Sequence, residues 1–224
     1  MNKHIQQLDI NLDVLPARPS VSVSVLSISA SFKIAKRAFD ILISILALPL
    51  IVLTAILLLV VNQFWNAGPL FFLQTRMGQD CKPFRAVKFR TMRPVREIMR
   101  GPDDPLEFDR ITPLGLFLRR TRIDELPQFI NVLSGQMSLV GPRPDYWEHA
   151  THYLDFIPGY RQRHDVRPGI TGLAQVDGGY AEGVNATVEK TRHDLRYIHG
   201  SSAAMEIYVL WRTIVVVFTG FGAR

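Results

Sequence analysis

The chain has 224 residues, 47% hydrophobic and 21% charged, a balance too apolar for disorder and enough for one domain with a membrane element attached. Its one cysteine, Cys81, excludes an intramolecular disulfide scaffold and a cysteine-based zinc cage. Twenty-six basic against 20 acidic side chains leave a charge of +6, which suits a polyanionic partner: nucleic acid, acidic headgroups or a phosphorylated substrate.

Residues 1–32 read as an N-terminal arm without chemistry, since Pro16 and Pro19 break any helix and Val21–Ser31 alternates apolar residues with Ser. A membrane element follows over 33–66. From Ile41 to Thr75 no residue is charged, and Ile41–Val61 is apolar almost throughout. As a helix that run is about 30 Å long, the thickness of the hydrocarbon layer. Pro49 in its middle removes one backbone donor and predicts a kink. Lys33, Lys36 and Arg37 precede the run, and Arg76, Lys82, Arg85 and Lys88 follow it. Basic charge on both sides suits a single span poorly. A re-entrant helix, broken at Pro49 and returning to the same face, satisfies both flanks; an ordinary span stays the alternative on charge alone.

The remaining residues, 67–224, read as the soluble part of the chain. Leu70–Thr75 and Pro83–Phe89 predict short strands around a turn at Gly78–Lys82, and Met99–Asp109 a loop. Thr112 caps a short helix with Pro113 in its first position, ending near Arg119-Arg120. Leu126, Phe129, Ile130 and Leu133 then recur with helical spacing up to Gly135. Pro127 fits only in the first turn, so this helix is expected to start at Ile123–Asp124. Further helices are predicted from Asp145 to Pro158-Gly159, from Asn185 towards Gly200, and from Ser202 to Thr219. Arg212 marks the last as packed or interfacial rather than spanning. Val140–Pro144 (VGPRP) and Arg167–Gly172 (RPGITG) read as rigid loops.

Adjacent acids most often cap helices, and Asp103-Asp104 is another such pair. Asp124-Glu125 differs in its setting: it follows Arg119, Arg120 and Arg122 and opens a helix whose amide end favours anions. That place suits a carboxylate nucleophile attacking phosphorus. Such an attack needs cations against charge repulsion, either basic clamps or Mg²⁺. Lys88, Arg90, Arg119 and the proline-flanked Arg143 are the candidates for phosphate and donor binding. No P-loop, Rossmann glycine pattern or paired-histidine metal spacing is present.

The stretches KRAFDILIS (36–44), GPLFFLQTRMG (68–78), FRAVKFRTM (84–92), LRRTRIDELPQFINVLSGQMSLVGPRP (118–144) and RPGITGLAQV (167–176), in this order, resemble the bacterial sugar transferases. These are the monotopic phosphoglycosyl transferases that initiate exopolysaccharide, capsule and O-antigen synthesis. The resemblance implies transfer of a hexose-1-phosphate, such as that of galactose or glucose, from a UDP-sugar to undecaprenyl phosphate. It further implies Asp124 as the nucleophile of a covalent phosphosugar intermediate, Glu125 as the carboxylate that positions Mg²⁺, and Lys88, Arg119 and Arg143 in phosphate-handling motifs. The membrane element would be the family's re-entrant helix. Two departures stand out: Leu48 precedes Pro49 where Ser is frequent, and Asp177-Gly178-Gly179 replaces an Asn-Gly-Arg-like element.

The expected architecture is therefore a small membrane-associated α/β domain, mostly helical with short strands, carried by a Pro-broken re-entrant helix. It would sit on the cytoplasmic face of the bacterial inner membrane, with membrane lipids and the two substrates as partners, no nucleic acid, and a homo-oligomer left open. The rival readings are a one-step transferase with a carboxylate general base and a basic membrane-bound scaffold without catalysis.

Overall fold

The computed structural model describes residues 29–95, 107–178 and 184–219. Most of the N-terminal arm, most of the expected 99–109 loop with Asp103-Asp104, and Gly179 lie outside the described residues.

Helix α1 (Ala30–Trp65) gathers the whole apolar run into 36 residues, and the backbone stays helical through Pro49. The predicted break is thus not an interruption of the helix; an interior proline costs one hydrogen bond and bends a helix that packing holds together. Strands β1 (Phe71–Met77) and β2 (Pro83–Phe89) pair antiparallel, Phe71 opposite Phe89, around a tight turn in which Asp80 and Cys81 adopt left-handed backbone. Helix α2 (Pro113–Arg120) starts as predicted, with Thr112 Oγ1 accepting from the Gly115 amide at 3.0 Å. Then come α3 (Gln128–Leu133), β3 (Ser138–Val140), α4 (Trp147–Leu154), β4 (Gly169–Thr171), α5 (Leu173–Asp177), α6 (Val184–His199) and α7 (Ala203–Thr219).

Two expectations are corrected here. The VGPRP and RPGITG segments are not only loops: Val140 ends strand β3, Gly169–Thr171 within RPGITG is strand β4, and the two strands pair in parallel. Neither run is long enough to show a two-residue rhythm, so periodicity is silent about them. Helix α4 is shorter than predicted, because Asp145 is drawn into an ion cluster ahead of it and the helix ends before Pro158-Gly159.

The buried positions of α1 (Asp40, Ser44, Ile51, Leu58 and Asn62) fall at intervals of four and seven and form one narrow seam. Along it Ile51 and Leu58 pack with Phe89 and Leu118. The ends are polar. Lys36 Nζ donates to the Val140 carbonyl at 3.1 Å and pairs with Glu206 at 2.5 Å. Arg37 donates to the Val132 and Leu133 carbonyls at 2.8 and 3.1 Å, closing the C-terminus of α3. Asp40 accepts from Ser138 Oγ at 2.7 Å and from the Leu139 amide at 3.2 Å. At the far end Asn66 is bonded to Arg90. A 36-residue helix is about 54 Å long, and both of its ends are fastened to one domain. Off the seam, Leu46, Leu53, Leu57 and Val60 are each at least 60% exposed. Water penalises so large an apolar surface; lipid does not. The helix is long and apolar enough to cross a membrane.

Helix α7 packs Val209 into the core with Leu139, Val140, Leu173, Val176 and Tyr197. Its Arg212 is accounted for by the C-terminus of α5: it donates to the Val176 carbonyl at 3.1 Å and lies 3.8 Å from Asp177.

Candidate active site

Asp124 and Glu125 do not lie in the first turn of α3. They occupy a separate 3₁₀ turn, Ile123–Glu125, ahead of it. The cause is local: Arg122 takes left-handed backbone (φ 59°), and Pro127, at the N-cap of α3, ends one turn before the next begins. At six residues, α3 offers little macrodipole. The amide-end stabilisation expected from sequence gives way to side-chain cations.

Glu125 collects them. Lys88 Nζ lies 2.8 Å from Oε1; Arg143 forks onto the same carboxylate, with one nitrogen on Oε1 and the other 3.2 Å from Oε2. Lys88 arrives by strand alternation, since Phe84, Ala86 and Lys88 share the β2 face on which Val132 and Met137 pack. Asn131 sets the distance between α3 and this strand, accepting from the Val87 amide at 3.0 Å and donating to the Arg85 carbonyl at 2.8 Å. Burial raises the Glu125 carboxyl, but Arg143 and Lys88 outweigh it and hold the group well below the ordinary carboxylate range. Desolvation lowers the Lys88 ammonium to about 8, against the pull of Glu125.

Asp124 is equally buried and differently treated. Its carboxylate makes no hydrogen bond or ion pair among the described residues, and desolvation raises its pKa. The charge on Glu125 adds to that rise, while Lys88, Arg143 and Arg119 pull it back. Arg119 reaches this side from α2, steadied by a 2.9 Å bond from Nε to Thr91 Oγ1.

Arg90 is not part of the cluster. Its guanidinium donates to Pro69 O at 2.6 Å, Asn66 Oδ1 at 2.7 Å, Met92 O at 3.1 Å and Asn66 O, so that four of its five N–H groups are spent on the junction of α1 and β1. The sequence-based phosphate role for Arg90 therefore becomes an anchoring role. The motif spacing that singles it out is equally satisfied by either.

The position of Arg143 is built from behind. Arg163, fully buried, pairs with Asp145 and with Asp194 at 2.8 Å, and donates to the Arg143 carbonyl at 2.8 Å. Lys190 and Tyr160 complete the satisfaction of Asp145, the Tyr160 hydroxyl at 2.7 Å. Sequence reading missed this cluster, because its members are scattered over three segments and none stands in a recognisable pattern. The loop itself is held by glycine contacts. A Cβ on Gly141 would lie 2.5 Å from the Arg167 carbonyl and 2.9 Å from the Gly169 amide, and one on Gly172 would lie 2.2 Å from the Gly141 carbonyl. Gly141→Ala is expected to lose about 1–3 kcal/mol of stability by overpacking. A thermal midpoint equal to that of the parent would refute this account of the β3–β4 approach.

This arrangement pairs a buried, unengaged carboxylate with a locked neighbour, encircled by Lys88, Arg119 and Arg143. It can receive an anionic phosphate and present an oxygen to it. The family model described as bacterial sugar transferase matches residues 31–220, and the chain belongs to that family. Among curated relatives it is 42% identical over 190 residues to the UDP-N-acetylgalactosamine-undecaprenyl-phosphate N-acetylgalactosaminephosphotransferase of Aeromonas hydrophila, covering 84% of this chain and 45% of that protein. It is 40% identical over 218 residues to the UDP-glucose:undecaprenyl-phosphate glucose-1-phosphate transferase of Escherichia coli K12, with 96% and 46% covered. The exopolysaccharide production protein PSS of Rhizobium leguminosarum is 38% identical over 194 residues, with 82% and 95% covered. The chain thus spans less than half the length of the first two relatives and nearly all of the third.

Proposed function

We propose that the chain transfers a hexose-1-phosphate from a UDP-sugar to undecaprenyl phosphate, initiating an exopolysaccharide or related glycan through a covalent phosphosugar on Asp124. The observation that carries this reading is the contrast within the acid pair. Glu125 is ion-paired with Lys88 and Arg143, mainly through Oε1, whereas Asp124 is desolvated with its lone pairs unengaged. A carboxylate so placed is a nucleophile rather than a structural acid.

In the first half-reaction a carboxylate oxygen of Asp124 attacks the sugar-bearing phosphorus of the donor. The bond from that phosphorus to the bridging oxygen breaks, and UMP leaves with its electron pair. In the second, a phosphate oxygen of undecaprenyl phosphate attacks the same phosphorus. The acyl–oxygen–phosphorus link breaks, the Asp124 carboxylate is restored and a polyprenyl diphosphate sugar departs. Lys88, Arg119 and Arg143 neutralise the charge that accumulates on the non-bridging oxygens.

The site fits Mg²⁺ of the kind that takes one or two protein carboxylates and completes its shell with substrate phosphate and water. No group of three or more acidic, histidine or cysteine side chains forms a closed cage among the described residues. Glu125 would hold the ion through Oε2, its less engaged oxygen, with a single contact at 3.2 Å. Bound there, the ion would supply further neutralisation of the diphosphate.

The double attachment of α1 supports a re-entrant placement. A helix fastened at Lys36–Asp40 and at Asn66 to one domain enters and leaves the bilayer on the face carrying that domain, within about one leaflet, with Pro49 as its bend. The cytoplasmic face is the one on which UDP-sugars are met. A basic scaffold has no use for a desolvated acid pair.

A UMP-release screen over UDP-sugars, with polyprenyl phosphate and Mg²⁺, tests the reaction. Intact mass of protein treated with donor alone tests the covalent step, with an increase of one sugar phosphate expected. Release of UMP with no trapped adduct under single turnover would favour direct transfer. The Lys88 shift also sets a pH dependence. The ammonium is needed in its charged form, so kcat/KM falls as pH rises through about 8. Lys88→Arg, charged at all accessible pH, should abolish that alkaline limb. An unchanged limb would assign it to another group.

A further inference from the structure

A cavity of about 450 Å³ opens beside the acid pair, in the size range of ligand sites. Leu50 and Thr54 of α1 form one wall and Val216 and Val217 of α7 another; Phe129 and Ile170 line it between them. The lining is mostly apolar; Arg122 and Glu125 are its charged members, and Thr171, Gln175 and Thr213 add polar atoms to the wall. Arg122 is the anomaly there. It is a non-glycine residue in left-handed backbone, and its guanidinium makes no hydrogen bond or ion pair among the described residues. Its charge is nonetheless close enough to act on Glu125. Lys88, Arg119 and Arg143 already serve the acid pair, so Arg122 is a further cation, placed where a mostly apolar cavity meets the acid turn.

We infer that this cavity is the acceptor subsite: Arg122 receives the phosphate of the polyprenyl phosphate, and the cavity between α1 and α7 takes its first isoprene units. The inference rests on the transferase reading and deepens it. Charge complementarity selects the occupant, which must combine an anionic phosphate with a hydrocarbon tail. Continuity selects its orientation. One wall belongs to the membrane helix, so the tail runs from the bilayer into the site, and the Arg122 end adjoins the turn that carries Asp124. A donor nucleotide, polar along its whole length, has no use for such a lining. The strained backbone at Arg122 is consistent with a residue held for a ligand.

The test uses the full chain in detergent or nanodiscs. Arg122→Gln and the cavity-filling Thr54→Trp and Val217→Trp are each expected to raise the KM for polyprenyl phosphate at least about tenfold while leaving the KM for the UDP-sugar within about twofold. Leu53→Trp, on the exposed face of α1, should match the parent. A photoreactive polyprenyl phosphate should label the peptides containing Thr54 and Val217, with labelling competed by farnesyl phosphate and not by phosphatidylglycerol. Equal competition by phosphatidylglycerol would identify a general lipid groove and overturn the proposal. So would acceptor KM values unchanged in all three variants. If the parent turned over no UDP-sugar, the transferase reading would fail, while the labelling experiment would still decide whether the cavity binds a polyprenyl phosphate.

Discussion

Asp124→Asn should reduce UMP release and polyprenyl diphosphate sugar formation by at least about 10³-fold, the scale of losing a nucleophile that acts as part of a unit. The same variant should fold as well as the parent or better. Asp124 has no partner to lose among the described residues, and a neutral amide removes a buried charge whose desolvation is uncompensated by any direct pair. That combination separates a reactive group from a structural one. The rate by itself does not separate nucleophile from base, because losing a general base costs about 10²–10⁴-fold and the ranges overlap. Intact mass does: donor-treated parent should carry one sugar phosphate and Asp124→Asn none. A parent-like turnover in the variant, or an adduct on another residue, would end the covalent mechanism.

Arg163→Leu should cost about 3–5 kcal/mol, because it strands a buried carboxylate on Asp194 and removes one of the cations from Asp145. Against a total stability of about 5–15 kcal/mol, that is enough to lower the thermal midpoint severely. Adding Asp194→Asn should recover part of the loss, since the stranded charge is then gone. At a permissive temperature the variant should also be slow, because the Arg143 carbonyl loses its 2.8 Å donor and the VGPRP loop its backing. A midpoint within a degree or two of the parent would show that the cluster contributes little to the fold.

The two predictions mark different depths of legibility. Asp124, Glu125, Lys88 and Arg143 stand in contiguous motifs, and strand alternation with loop rigidity already points them at a common task. Arg90 stands in the same FRAVKFRTM stretch as Lys88, yet the structure spends it on Asn66, Pro69 and Met92. The two differ in role because Lys88, within β2, faces the acid turn and Arg90, just past the strand's end, meets the end of α1. The hairpin, the Thr112 cap and the helices α6 and α7 were legible because each is set by local periodicity or capping. Strands β3 and β4 were not, each being three residues long and paired with a partner some thirty positions away.

What the sequence by itself determined is the apolar run, its basic flanks and the acid pair in a basic setting, because hydropathy and charge are properties of residues wherever the chain carries them. Tertiary structure alone decided that α1 is pinned at both ends to one domain and that Glu125 rather than Asp124 receives the ion pairs. It alone also set Arg163 behind Arg143 and left Arg122 at the mouth of a cavity. Those outcomes depend on distances of about 3 Å between segments far apart in the chain, where burial and pairing set the energies, and no local pattern encodes them.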